Sequence, residues 1–348
     1  WILATLPVSF GGLGVRRVTD ICLPAFLAST HGVLDFVKSI LSYHGDEIWI
    51  SHLDDALNKW SALTNNSNFP TSSSVQKQWD QIQASNIYQT LLSSSTCEAD
   101  QARFHAIKQK ESGTWLQTIP SPNIGTLIDS ESFRIAVGLR LGIKICFPHN
   151  CQCGAFVDSY GHHCLSCAKS AGRHPRHFQI NDILKRALIS AGFPSILEPS
   201  GLHRSDGLTL IPWSRGKSLL WDVDTLAPSH LSATSKSASS AAISAVNAKR
   251  AKYRELMDNY NFIVFAVETL GPWCPEAKAL VQEIGKKLEE ITGDSRATNF
   301  LMQRISITIQ GGNAASVTGT FPQSQSLHEV FYFKFIIFFI FRYFVICF

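Results

Sequence analysis

Apolar residues recur at three- and four-residue spacing through DICLPAFLASTHGVLDFVKSIL, residues 20–41, and predict a helix there. It follows a Gly-rich loop, PVSFGGLGVRR. Further helices are predicted over 75–92, 98–116 and 129–143, the last with Asp129 or Ser130 as its cap. The polar stretch TNNSNFPTSSS, 64–74, reads as a loop or linker. Its Asn65-Asn66-Ser67 matches the glycosylation pattern, although no secretory signal accompanies it.

Beyond residue 176 the period changes. HFQINDILKRALISAGF, 177–193, predicts an amphipathic helix with Phe178, Ile183, Leu184, Ala187 and Leu188 on one side and Gly192 near its end. Three strand-like runs follow, SILEP, GLTLI and SLLWDVDTL, and the compact turn PWSRGK joins the last two as a hairpin. After the low-complexity SHLSATSKSASSAA come a helix in AVNAKRAKYRELMD and a strand in FIVFAVETL. A helix with Pro275 in its first turn and Gly293 as its stop closes the unit. The order is α-β-β-β-α-β-α and the class α+β, with no internal repeat.

Composition changes this picture little. The 348 residues are 45% hydrophobic, enough for two or three cored domains. The net charge of +4 is too mild to indicate nucleic acid by itself. A chain opening at Trp1 on structured sequence reads as a fragment or a fused exon product. The tail FYFKFIIFFIFRYFVICF, 331–348, is interrupted only by Lys334 and Arg342. It reads either as a snorkelling membrane or interfacial helix, or as A/T-rich sequence translated past the natural end of the domain.

The cysteines change it more. Five of the nine, Cys146, Cys151, Cys153, Cys164 and Cys167, crowd into one stretch with His162 and His163. A disulfide framework would spread them. Cys-x-Cys-Gly followed by His and Cys suits a tetrahedral zinc held by Cys151, Cys153, His163 and Cys167, with Gly154 letting the turn curl. Cys146, Cys164 and His162 compete for places in that set, and a cluster of buried free thiols is the plain alternative. Four protein ligands leave no open position, so the expected role of zinc is structural.

Two charged constellations follow. KSAGRHPRHFQINDILKR supplies Arg173, Arg176, Lys185 and Arg186 as a candidate phosphate-binding footprint, which a solvated helix face would also resemble. Asp206 opens one strand of the hairpin and Asp222 lies in the next, where a restriction-type nuclease would hold Mg²⁺. Asp224 shares a strand face with Asp222. Lys249 and Lys252, with Tyr253 beside them, offer a cation from the following helix, and Glu198 and Glu268 are further carboxylates.

These residues carry a resemblance. LPVSFGGLGVRRVTDICLPAFLAS, CxCG…GHHCLSC with SAGRHPRH, EPSGLHRSDGLTLIPW, LLWDV, KRAKY, FAVETLGPW and QRISITIQGGNA together resemble the C-terminal part of the reverse-transcriptase polyprotein of non-LTR retrotransposons. The resemblance covers about residues 3–321. It implies a helical post-polymerase remnant over 1–145, a CCHC zinc knuckle over 146–176 and a restriction-like endonuclease domain over 177–321, before the hydrophobic tail, 322–348. The family's metal-binding aspartates fall on Asp206 and Asp222, and its helix Lys and Tyr on Lys249 or Lys252 and on Tyr253. Arg204-Ser205-Asp206-Gly207 departs from the family's Lys/Arg-Pro-Asp-Gly, and Asp224-Thr225 follows the second aspartate where the family carries a hydroxyl-bearing residue. Both places look shortened, which points to decay of the nicking activity. Zinc and magnesium are the implied cofactors, DNA and retroelement RNA the partners, and the nucleus or cytoplasm the location. No DNA synthesis is expected, because the polymerase fingers and palm are absent. The alternatives are a catalytically dead, zinc-dependent nucleic-acid-binding fragment and a protein anchored in a membrane by its tail.

Overall fold

The computed structural model describes residues 1–41, 50–64, 69–202, 205–226 and 237–321. The Asn65-Asn66-Ser67 triplet, Arg204 and the hydrophobic tail lie outside them. The chain forms two compact units that meet in sequence at Ser95 and Thr96.

The first unit is helical: α1 (Ile2–Thr5), α2 (Val18–Ile40), α3 (Leu53–Leu63) and α4 (Gln76–Ser94). Its core is Leu27 and Ala28 of α2 against Ala56, Trp60 and Trp79, with the two indoles edge-on at 4.8 Å. Helix α2 is long and apolar enough to cross a membrane by length and composition alone. One side of it packs in this core, while Phe36 and Ile40 stay exposed.

The second unit opens with α5 (Glu98–Ile107), a 3₁₀ segment (Lys110–Gln117) and α6 (Ser130–Leu141). It therefore takes in helices that the sequence reading groups with the N-terminal region. Asp129 caps α6, its carboxylate accepting from the amides of Glu131 and Ser132, and Gly142 ends it in the left-handed region that a side chain would resist. A two-stranded hairpin, β1 (His149–Asn150) and β2 (Phe156–Val157), and a short helix, α7 (His162–Ser166), carry the cysteine cluster.

Then come α8 (Arg173–Ser190), β3 (Ser195–Leu197), β4 (Gly207–Thr209), β5 (Leu219–Leu226), α9 (Ser240–Lys252), β6 (Asn261–Glu268) and α10 (Pro275–Thr292). This is the α-β-β-β-α-β-α order that the periodicity predicts. The sheet runs β3-β4-β5-β6, with the first two pairs antiparallel and β5–β6 parallel. A parallel pair needs a crossover, and α9 lies in it. Strand β5 is buried from Leu219 to Val223 and β6 through Val264–Glu268, as expected for strands covered on both faces.

One element goes beyond the sequence reading: α11 (Ala297–Thr318), after the Gly293 stop. Leu301, Ile305 and Ile309 join the sheet's core with Ile180 and Leu184 of α8 and Val281 and Ile284 of α10. Ala314 and Val317, one to two turns on, join the core beneath the cysteine cluster. Helix α11 thus ties the hairpin to the sheet. Its approach to α8 is backbone-close: a Cβ on Gly172 would lie 1.9 Å from the Gly312 carbonyl oxygen.

Candidate functional site

The Cys-x-Cys turn closes β1 to β2. The Cys151 amide donates to the Ala155 carbonyl at 2.9 Å and that of Gly154 to the Cys151 carbonyl at 2.8 Å. Gly154 sits at φ 90°, where its lack of Cβ is required. Helix α7 supplies His163, and Cys167 follows one turn later, its amide donating to the His163 carbonyl at 2.9 Å. The sulfurs of Cys151, Cys153 and Cys167 and a ring nitrogen of His163 all lie within 4.8 Å of one another. Cys151 and Cys167 Sγ are 3.8 Å apart, and Cys153 Sγ is 3.2 Å from His163 Nε2. The Cys153 thiol is pulled down to about 6, chiefly by the Ala155 amide, while burial pushes Cys167 up to about 11. Three soft sulfurs and one imidazole are the donor set of a closed tetrahedral site and fit a metal such as zinc.

The competing ligands have other partners. Cys146 is buried, its thiol donating to the Asp158 carbonyl at 3.4 Å, and burial pushes it up to about 12. Cys164, also buried and pushed up to about 11, faces Thr320 Oγ1 at 3.4 Å. His162 turns to Asp158, with Nδ1 and Oδ2 at 2.9 Å. Among the described residues the Cys₃His set is the one close group of three or more His, Cys, Asp or Glu donors.

The acidic residues assemble around the backbone of Val223. Gly207 pairs with Trp221 and Leu208 with Leu220, and the amide of Asp206, just before β4, donates to the Trp221 carbonyl at 3.0 Å, which brings Asp206 alongside β5 next to Asp222. Asp206 Oδ2 accepts from the Val223 amide at 2.6 Å and from His177 Nε2 at 3.0 Å. From α9, Lys249 Nζ donates to Asp222 Oδ1 at 2.6 Å and to the Val223 carbonyl at 3.3 Å, with Asp224 Oδ2 at 3.5 Å. Three carboxylates thus face one ammonium and one imidazole.

The electrostatics follow from this packing. Burial pushes Asp222 up to about 6 against the pull of Lys249. Burial opposes ionisation of Asp206 too, but the His177 contact wins and holds it below the usual carboxylate range. His177 is raised by Asp206 in return. Lys249 is raised: Asp224 and Asp222 outweigh the burial that would lower it.

His177 is the residue that sequence reasoning passed over as part of a basic run. It stands one turn before Asn181 on α8. The Trp221 indole can only donate, and it does so to Asn181 Oδ1 at 2.9 Å, which turns Asn181 Nδ2 toward His177 Nδ1 at 3.4 Å. In neutral imidazole the proton then sits on Nε2, facing Asp206. Trp221 also explains Gly207, since a Cβ there would lie 2.0 Å from the indole. Asp206-Gly207 is a packing requirement as much as a turn.

Other candidates fall elsewhere. Lys252 is exposed with its ammonium 4.7 Å over the Tyr253 ring, and buried Tyr253 packs on Phe262 at 5.3 Å, so Lys249 alone of the two lysines reaches the aspartates. Glu268 accepts from the Ala242 amide at 3.3 Å and caps the first turn of α9, with burial raising it to about 6. Glu198 is exposed at the end of β3 with φ 49°. In the basic set, Arg173 and Arg186 are exposed, Lys185 is half-buried, and Arg186 pairs with Asp182 at 2.9 Å. Arg176 is corrected: at 2% exposure it lies under α11, donating to Asn313 Oδ1 at 2.8 Å, and does not face solvent. Burial lowers it to about 10.

No protein-family model matches the chain, and no curated protein matches it.

Proposed function

We propose that this chain acts on nucleic acid as the C-terminal part of a non-LTR retrotransposon polyprotein, with a zinc knuckle and a restriction-like endonuclease module that nicks DNA. The observation that carries the reading is Lys249, delivered by the crossover helix against Asp222, with Asp206 across the hairpin. The α-β-β-β-α-β-α order around a mixed sheet and the Cys₃His cluster ahead of it support the same reading.

Asp206 and Asp222 would be the residues to hold Mg²⁺, although among the described residues the Cys₃His set alone draws three or more donors together. Asp206 and Asp222 offer hard carboxylate oxygens, with Asp224 two residues on, in surroundings with an excess of negative charge. A bound Mg²⁺ would neutralise phosphate charge and make its water more acidic. Lys249 supplies an ammonium that bridges the two β5 carboxylates, offsets their mutual repulsion and would balance negative charge on the phosphate. His177 orients Asp206 and carries a proton at Nε2 within reach of the same carboxylate. The knuckle contributes no open ligand position and serves to fold the segment between α6 and α8.

The strand pairing beside the two aspartates supports a site that survives the shortened motifs. Asp206 accepts from the Val223 amide, and Lys249, which holds Asp222, donates to the Val223 carbonyl, so both carboxylates gather at one residue of β5, which argues against a slip to opposite sheet faces. Nicking of supercoiled DNA that needs Mg²⁺ and is lost on Asp222→Ala tests the reading. Binding without cleavage would leave the alternative of a catalytically dead nucleic-acid-binding fragment.

A further inference from the structure

Helix α9 carries Lys249, yet its apolar grip on the sheet is small. One stripe, Ala242, Val246, Lys249 and Tyr253, recurs at four- and three-residue spacing and faces β5 and β6, where Lys249 meets Asp222 and Tyr253 meets Phe262. The buried apolar residues within the helix are Ala241, Ala242 and Val246. Side chains of that size bury little area, so the setting of the helix along the sheet needs a further restraint.

The helix's own first residues do not supply it. Ser239, at the cap position, has φ 65° and makes no side-chain hydrogen bond to the first turn, and the Ser240 hydroxyl oxygen is buried without a partner. The restraint comes from Glu268 at the end of β6. Its buried carboxylate accepts from the Ala242 amide at 3.3 Å, and the amides of Ala241 and Ser239 also favour its charged form against burial. Its backbone is fixed, the amide donating to the Pro272 carbonyl at 2.8 Å and the carbonyl accepting from the Gly271 amide at 2.9 Å. Thr269 beside it is held on both sides, by the Leu226 carbonyl at 2.9 Å and by Asn313 Nδ2 at 2.6 Å.

The spacing connects this cap to the acidic site without placing it there. Asp222 pairs with Val264 and Leu226 with Glu268, so Glu268 lies about 13 Å along the strands from Asp222, too far to share a metal with it. From Ala242 to Lys249 the helix runs back about 10 Å toward Asp222. We propose that Glu268 is a positioning residue for Lys249: by capping α9 from β6 it fixes how far the helix can slide along the sheet, and so holds the ammonium on Asp222. The inference rests on the nuclease reading above for its catalytic consequence.

The test uses the full chain loaded with zinc, at neutral pH, where Glu268, raised by burial to about 6, is ionised. Acetylation by acetic anhydride, read lysine by lysine by mass spectrometry, reports how firmly each ammonium is held. In Glu268→Met, which keeps the bulk and loses the acceptor, acetylation of Lys249 should rise about fivefold, the equilibrium factor of one lost cap. Lys278, paired with Glu111 at 3.2 Å, should not change. Glu268→Gln keeps an accepting oxygen and should stay close to the parent. Mg²⁺-dependent nicking of supercoiled plasmid should fall in Glu268→Met and recover in Glu268→Gln. In the parent the Ala242 amide should resist hydrogen exchange, whereas uncapped first-turn amides exchange freely. Free exchange there overturns the inference without any variant. Lys249 labelling unaltered in Glu268→Met overturns it too, as does a rise shared equally by Lys278, which marks general loosening. A parent chain that does not nick refutes the nuclease reading, while the labelling still decides whether Glu268 sets Lys249.

Discussion

Lys249 Nζ, carried on the crossover helix, lies 2.6 Å from Asp222 Oδ1 on the adjoining strand. Asp222 is buried, and a buried carboxylate needs such a partner or gives up its charge. Lys249→Ala leaves that carboxylate without its cation and is expected to push Asp222 further up. Nicking by the parent protein should rise with pH through about 6 as Asp222 ionises. In Lys249→Ala whatever remains should rise at higher pH. A pH–rate profile reads both, and identical midpoints would contradict the contact.

The metal centre predicts one zinc per chain. Cys153→Ser should release it, while Cys146→Ala should retain it, because Cys146 donates to a backbone carbonyl instead of facing the cluster. Affinity should fall on acidification as the thiolates and imidazole protonate. Metal analysis of the two purified variants decides this, and equal zinc loss in both would show the ligand set to be misassigned.

His177 and Asp206 set opposite pH edges on stability. Asp206 is lowered, so its contribution is present above the ordinary carboxylate range and fades as pH falls through its depressed value. His177 is raised, so its contribution is full below about 6.5 and is lost as pH rises through its elevated value. An NMR titration should put the His177 midpoint above about 6.5, and Asp206→Asn should return it toward that value. A midpoint at or below the ordinary one in the parent would sink the pairing.

Arg176 and its neighbours on α8 should separate stability from binding. Arg176→Ala strips Asn313 of a buried donor and is expected to cost about 1–3 kcal/mol. Gly172→Ala forces a Cβ onto the Gly312 carbonyl and should cost about 1–3 kcal/mol. Neutralising exposed Arg173 and Arg186 should barely move stability and should flatten the salt dependence of DNA binding, by up to a slope of roughly 0.9 per phosphate contact. Denaturant melts and salt titrations of the same variants distinguish the two. A flattened salt slope in Arg176→Ala with unchanged stability would reverse the assignment.

Much of this was legible in the chain because local rules decide it. Of the two candidate caps, Asp129 and Ser130, Asp129 caps α6, Gly293 ends α10, and the Cys-x-Cys-Gly turn brings together a Cys₃His set that could hold a metal. Long-range packing was not legible. Arg176 looks like its neighbours in a basic run, and only α11, more than a hundred residues later, buries it. Lys249 and Lys252 are both cationic and close in sequence, yet helix phase sends one to the aspartates and the other over the Tyr253 ring. His177 could have been singled out by its four-residue spacing from Asn181, but Trp221, which orients that pair, lies on another element. Helix α11 runs through Gly311 and Gly312, which obscure it as a helix in the sequence, and Gly312 allows its close contact with Arg176 of α8.

Asp206, Asp222 and Lys249 are proposed to form a phosphodiesterase site. The direct measurement is conversion of supercoiled plasmid to nicked circle by the full, zinc-loaded chain in the presence of Mg²⁺, beside Asp206→Ala, Asp222→Ala and Lys249→Ala proteins of equal zinc content. The account predicts slow nicking that EDTA abolishes and that falls at least a hundredfold, about 2.7 kcal/mol of transition-state stabilisation, in each variant. No Mg²⁺-dependent nicking by the parent protein, or nicking that persists in Asp222→Ala, would contradict it.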